Sequence, residues 1–411
     1  MISQNRRLTM KDNQAKYPQL RFKGFTDPWE QRKLGDLLKE FSIKSKIEDE
    51  HKVLSSTNSG MEFREGRVSG TSNLGYKIIK NGDLVLSPQN LWLGNININN
   101  IGKGLVSPSY KTFELINIDS SFINPQLRTQ KMLEEYKNSS TQGASVVRRN
   151  LEIDSFYQIK IFVPTISEQE KIGSFFQQLD NTIVLHQRKL AKLKELKQGY
   201  LQKMFPQNGS KFPQLRFAGF ADAWEQRKLG EIAIRVRGND GRMNLPTLTI
   251  SAGNGWMDQR DRFSQNIAGK EQKNYTLLRQ GELSYNHGNS KLAQFGAVFE
   301  LESYNEALVP RVYHSFSVTA GAQPKFIEQM FATHRPDREL RKLVSSGARM
   351  DGLLNINYDD FMGIKVWLPS VAEQQAISGL LVKLDNTIAL HQRKLEKLQE
   401  LKKGYLQKMF C

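Results

Sequence analysis

The chain has 411 residues, enough for two or three domains with their own cores. Its 59 Lys and Arg against 42 Asp and Glu leave a formal charge of +17, which points to a polyanionic partner. No apolar run nears the roughly 18 residues of a membrane span, and the single cysteine, Cys411, excludes an internal disulfide and a cysteine metal site.

Residues 1–16 read as a polar tail without the apolar stretch of a signal peptide, so a cytoplasmic location is expected. A first domain is expected over 17–165. It opens on YPQLRFKGFTDPWEQRKLGD (17–36) and holds short strands at KIIKNGDLVLS (77–87) and IKIFVP (159–164), bounded by Asn-Gly and Pro turn signals. A helix is expected over 126–138. Pro164 ends the last strand, and a long helix over 166–206 begins near Ser167, where SEQE resembles a capping box. Along it Leu179, Ile183, His186, Leu190, Leu193 and Tyr200 recur at heptad spacing as one seam. A second domain is expected over 207–370, opening on FPQLRFAGFADAWEQRKLGE (212–231), with helical pieces over 325–344 interrupted at Pro336. A second long helix over 371–411 carries the seam Leu384, Ile388, His391, Leu395, Leu398 and Tyr405.

The two openings agree at fifteen of twenty positions, and the helix segments 179–205 and 384–410 agree at twenty-three of twenty-seven. Between them lie stretches of about 140 residues whose apolar, Gly and Pro positions match while the polar ones differ. A whole domain-plus-helix unit is therefore duplicated, with two surfaces on one frame. The expected class is mixed α/β (α+β), two domains each followed by a long helix. Two similar apolar stripes are expected to bury each other by pairing, as an antiparallel coiled coil with a pseudo-twofold axis, the alternative being that each stripe packs on its globular domain. Leu179 to Met204 span roughly 39 Å at about 1.5 Å per residue, near one turn of B-DNA, roughly 34–36 Å. The seam histidines His186 and His391 are read as register-fixing polar residues rather than ligands.

Candidate DNA readers are the polar and basic residues of the divergent loops. In the first domain they are Ser55, Ser56, Thr57, Asn58, Arg64 and Arg67, then Gln89, Asn90 and Trp92, then Arg148 and Arg149. In the second they are Ser251, Asn254, Trp256, Arg260 and Arg262, then Asn286, His287, Asn289 and Lys291, then Arg349. Arg pairs bidentately with guanine, and Asn or Gln with adenine. Arg67 and Arg262 recur in both halves and are read as phosphate contacts, which position without specifying. Trp29 and Trp224 belong to the shared frame and are read as core or subunit-docking residues.

The PQLRF-x-GF-x-D-x-WEQRKLG opening, the P-x-x-x-EQ segment before each helix and the tandem unit together resemble the specificity subunit (S subunit, HsdS) of type I restriction–modification systems, over essentially the whole chain. The resemblance implies two target-recognition domains, each reading one half of a split double-stranded DNA target, and a coiled coil that sets the spacer. It also implies two methyltransferase subunits and two restriction subunits as partners, with S-adenosylmethionine and ATP with Mg on those partners. No catalytic role, cofactor, metal or membrane contact is expected for this chain. The residues agree: Asn124-Pro125 is followed by Gln126 and Leu127, which does not make an adenine-methyltransferase loop, and no Walker A loop occurs. Asp337 and Glu339 read as an ordinary charged helix face. A stand-alone two-domain DNA-binding regulator is the alternative, and a protein- or glycan-binding scaffold is disfavoured by the charge.

Overall fold

The structure is a computed structural model that describes residues 2–4, 17–64, 72–89, 91–142, 149–207, 209–263, 269–288, 290–344 and 354–410. The chain divides into two compact units, residues 1–188 with 393–411, and residues 189–392. The division falls inside both long helices rather than at the domain–helix boundaries read from the sequence.

The first unit is built on a four-stranded antiparallel sheet in the order Leu38–Phe41, Lys111–Leu115, Leu84–Leu86, Ile96–Ile98. Leu84, Val85 and Leu86 are all buried, because the sheet is covered on both faces. Two smaller pairs lie beside it, Lys77–Ile79 with Gly104–Val106 and the hairpin Leu54–Ser56 with Met61–Phe63. The Asn81-Gly82 turn is entered as expected, and Gly82 adopts a φ of 91°, which a side chain disfavours. The expected helix over 126–138 is instead two, Ser120–Gln126 and Gln130–Asn138. Each has its own N-cap, Asp119 accepting from the Phe122 amide and Thr129 from the Met132 amide. Ile2–Gln4, assigned to the tail, form a strand against Leu20–Phe22.

The second unit repeats this plan despite its different sequence. Its sheet runs Ala233–Val236, His314–Val318, Leu283–Asn286, Ala297–Glu300. The side pairs are Thr276–Arg279 with Glu306–Val309 and Leu248–Ser251 with Gly255–Asp258. The helices Pro324–Ala332 and Asp337–Leu343 are separated just before Pro336, as its ring requires.

The repeated motifs do the same work in each unit. Glu30–Lys33 pairs with Lys160–Val163, and Glu225–Lys228 with Lys365–Leu368. Trp29 and Trp224 are buried core residues, Trp29 edge-on to Phe122 and Trp224 to Phe205. Arg21 of PQLRF holds Glu168, and Arg216 holds Glu373. Gln169 accepts from the Asp119 amide and donates to the Pro164 carbonyl; Gln374 does the same with Gln323 and Pro369. The EQ segment thus ties each long helix to its domain. The capping box expected at Ser167 does not form. The helix Ile166–Lys203 already includes Ser167, so Ser167 is not its N-cap and Glu170, the box's acid three residues on, does not sit at the third helical position.

The second long helix is Val371–Met409. In the first unit its end runs antiparallel to the start of the first helix: Tyr405 meets the Phe175 ring at 4.9 Å, and Lys402, a turn earlier, pairs with Asp180 at 2.5 Å. Met409 is buried in that unit's core, and Phe410 stacks on Phe176. In the second unit Lys197 pairs with Asp385 at 2.6 Å, and Met204 and Phe205 join the core with Trp224, Ile377 and Leu381. Ile183, Leu190 and Leu395 are buried, and the other seam positions (Leu179, His186, Leu193, Tyr200, Leu384, Ile388, His391, Leu398, Tyr405) are half-buried, while Leu185 and Leu390 beside the seam are exposed. Among the described residues no helix is long and apolar enough to cross a membrane, and no group of side chains could hold a metal.

Candidate nucleic-acid interface

In the first unit the hairpin Leu54–Phe63 presents its tip at Thr57–Gly60. Thr57 fixes that tip: its hydroxyl donates to the Gly60 carbonyl at 3.1 Å and accepts from the Ser59 amide. Asn58 is exposed at the apex, and its carbonyl accepts from the Arg128 guanidinium. Burial lowers the pKa of that guanidinium. Arg64 and Gln89 are exposed and Ser55 is half-buried. Arg149 donates to the Lys137 carbonyl at 3.2 Å. Trp92 packs on the core rather than facing solvent.

Ser56 corrects the sequence reading. It is 3% exposed, donates to the Val85 carbonyl and accepts from Asn97, so it joins the hairpin to the sheet and cannot reach a groove.

In the second unit the equivalent hairpin carries Asn254, exposed in its turn, and Ser251, half-buried beside that turn opposite Gly255. Trp256 is half-buried, its indole N–H donating to the Glu300 carbonyl at 3.1 Å. Arg260 is exposed but paired with Asp258 at 2.9 Å. Arg262 donates to the Ile250 carbonyl at 2.9 Å, and Asn286 to the same oxygen at 3.3 Å. Lys291 is exposed.

His287 is the second correction. It is 5% exposed, and its ring nitrogens lie 2.8 and 3.0 Å from the Leu354 and Val312 carbonyls, so it anchors loops instead of reading bases. Arg67, Asn90, Arg148, Asn289 and Arg349 lie outside the described residues.

Sequence reasoning passed over three arginines. Arg235, Arg237 and Arg311, all exposed, line a cleft of about 690 Å³ floored by His287 and His314. Arg235 lies in the strand Ala233–Val236, Arg237 just past its end, and Arg311 in a turn 74 residues on from Arg237, so only the fold gathers them. The available signal was the IRVRG segment, basic where the first half reads KEFSI.

Residues 26–195 match the family described as Type I restriction modification DNA specificity domain. The type I restriction enzyme MjaVIII specificity subunit of Methanocaldococcus jannaschii is 22% identical over 404 residues, 92% of this chain and 91% of that protein. The crystal structure of the S subunit of a type I restriction–modification system from M. genitalium superposes with a TM-score of 0.60 at 12% identity, covering 96% of this chain and 99% of that one.

Proposed function

The chain belongs to the family of type I restriction–modification specificity subunits, and we propose on that basis that its two units read the two halves of one bipartite DNA target. As a specificity subunit it recognises DNA and is not itself the catalyst. The observation that supports the bipartite reading is the pair of four-stranded sheets with one strand order beneath different exposed side chains. Asn58, Arg64 and Gln89 are exposed on the first, Asn254, Arg260 and Lys291 on the second. One frame used twice with different donors and acceptors is what two different half-sites require.

The paired helices set the distance between half-sites. Two methyltransferase subunits dock on the repeated frame and two restriction subunits join them, carrying S-adenosylmethionine and ATP with Mg respectively. A cytoplasmic location follows from that role. Exchanging residues 37–150 for the matching segment of a homologue, followed by mapping of methylated adenines, tests the reading. One half of the motif should change and the other stay. A change in both halves would overturn modular reading, and DNA binding without any effect on methylation would favour a stand-alone regulator.

A further inference from the structure

Five of the twelve described arginines of the second unit are already paired with carboxylates, among them Arg216 with Glu373 and Arg227 with Glu231. Arg242 lies between Asp240 and Glu306, Arg260 pairs with Asp258, and Arg279 with Glu306. Arg235, Arg237 and Arg311 differ. They converge on one cleft whose lining contains no Asp or Glu, and among the described residues none of the three has a carboxylate partner. Three like charges gathered in one concavity repel one another and focus a positive potential into it. An anion relieves that repulsion.

The cleft is also shaped for a flat, extended polyanion. Arg235 is laid over the Tyr358 ring at 4.1 Å, which holds its guanidinium as a plate while its N–H edge stays free to donate. The floor is the stacked His287–His314 pair, 4.9 Å apart, and His314 is fixed by the Ile356 carbonyl at 2.9 Å. Burial pushes the His314 pKa down to about 4, so the floor adds no charge of its own from that ring near neutrality. Asn274, Asn355 and Asn357 line the same cleft.

The first unit closes the matching place. Glu40 occupies the strand position of Arg235, opposite Phe113 as Arg235 is opposite Phe316. It binds Lys111 at 2.7 Å and accepts from the Tyr157 hydroxyl at 3.2 Å. An acid, its lysine and a tyrosine neutralise one another there, whereas the second unit leaves three guanidiniums unmatched.

We propose that this cleft is the phosphodiester-gripping site of the second unit, with Arg237 and Arg311 contacting backbone phosphates and the Arg235–Tyr358 plate packing against the strand. The proposal rests on the DNA-reading role above.

The test uses the assembled methyltransferase complex. Dissociation constants on a target duplex and an unrelated duplex are measured across a salt series for the wild type, Arg237→Gln/Arg311→Gln, Arg237→Lys/Arg311→Lys, and Arg227→Gln as a control away from the cleft. Each lost phosphate contact should lower the slope of log K against log salt by about 0.9, so the Gln pair by about 1.8, equally on both duplexes. The Lys pair should keep the slope, since a point charge suffices for a phosphate, and the control should match the wild type. The methylated motif should not change. An unaltered slope in the Gln pair overturns the proposal, and so does a changed motif, which would make the cleft a base reader. A wild-type complex that does not prefer its target would instead show failure of the underlying DNA-reading role.

Discussion

The Arg21 guanidinium holds both carboxylate oxygens of Glu168, each at 2.6 Å, with the two side chains 4% and 0% exposed. Arg216 and Glu373 repeat the bidentate pair at 2.7 Å. A buried pair of this kind is costly to break from one side, because the remaining charge is left without a partner. Arg21→Ala is expected to destabilise the chain by about 3–5 kcal/mol in denaturant unfolding. Arg216 is 15% exposed and water can reach it, so Arg216→Ala should cost less. A double change of Arg21 to Met and Glu168 to Leu should recover most of the loss, which a role in packing alone would not predict.

Two helix glycines should respond in opposite directions. A Cβ on Gly173 would overlap the Ser121 hydroxyl and lie 2.8 Å from the Phe122 amide nitrogen, so the long helix and the helix Ser120–Gln126 would have to separate. Gly173→Ala should lower stability by about 1–3 kcal/mol or more. Gly379 is exposed in the second long helix with nothing within 4 Å of the added Cβ. Gly379→Ala should raise stability by up to about 1 kcal/mol. Thermal unfolding of the two variants side by side checks both signs.

Glu300 should make the second unit more stable in mild acid than in base. Burial pushes its carboxyl up to about 7, Glu302 and Glu328 add to the effect, and Lys325 opposes it. One carboxylate oxygen is buried without a hydrogen-bond partner among the described residues. The folded chain therefore holds this proton more tightly than the unfolded chain does. Its contribution is fully present below the unfolded value of 4.5 and is lost as pH rises through about 7. Glu300→Gln keeps the shape without the charge. Melting temperatures should show the variant gaining on the wild type between about pH 5 and about pH 8; a gap that stays constant across that range would refute the titration.

What was legible in the sequence was the frame, because identical residues do identical jobs: Arg21 and Arg216, Glu168 and Glu373, Gln169 and Gln374. The two long helices were legible for the same reason, as one apolar period written twice. The break between Gln126 and Gln130 was not, because Leu127 to Thr129 contain neither Gly nor Pro and only the Thr129 cap marks the restart. Ser56 and His287 were misread because polar residues near turns look like surface until the carbonyls they satisfy are known. The basic cleft was missed because its arginines lie on separate segments, and charge convergence is a property of the fold.

The helices are expected to act as the ruler of the target. In the first unit Asp180 pairs with Lys402, and in the second Asp385 pairs with Lys197, the duplicated residues exchanging roles. A change of length that respects this symmetry must be made in both helices at equivalent points, such as between Arg188 and Lys189 and between Arg393 and Lys394. One heptad added at each keeps the seam in phase, whereas four residues in one helix would overshoot a turn by about 40° and leave one lysine–aspartate pair out of register. A heptad lengthens a helix by about 10.5 Å, which on B-DNA is about three base pairs. The paired insertion should therefore methylate the same two half-sites with a spacer about three base pairs longer, read from the motif in genomic DNA. The exposed loops are untouched, so neither half-site should change. An active enzyme that retains the original spacer would show that the distance between half-sites is set elsewhere.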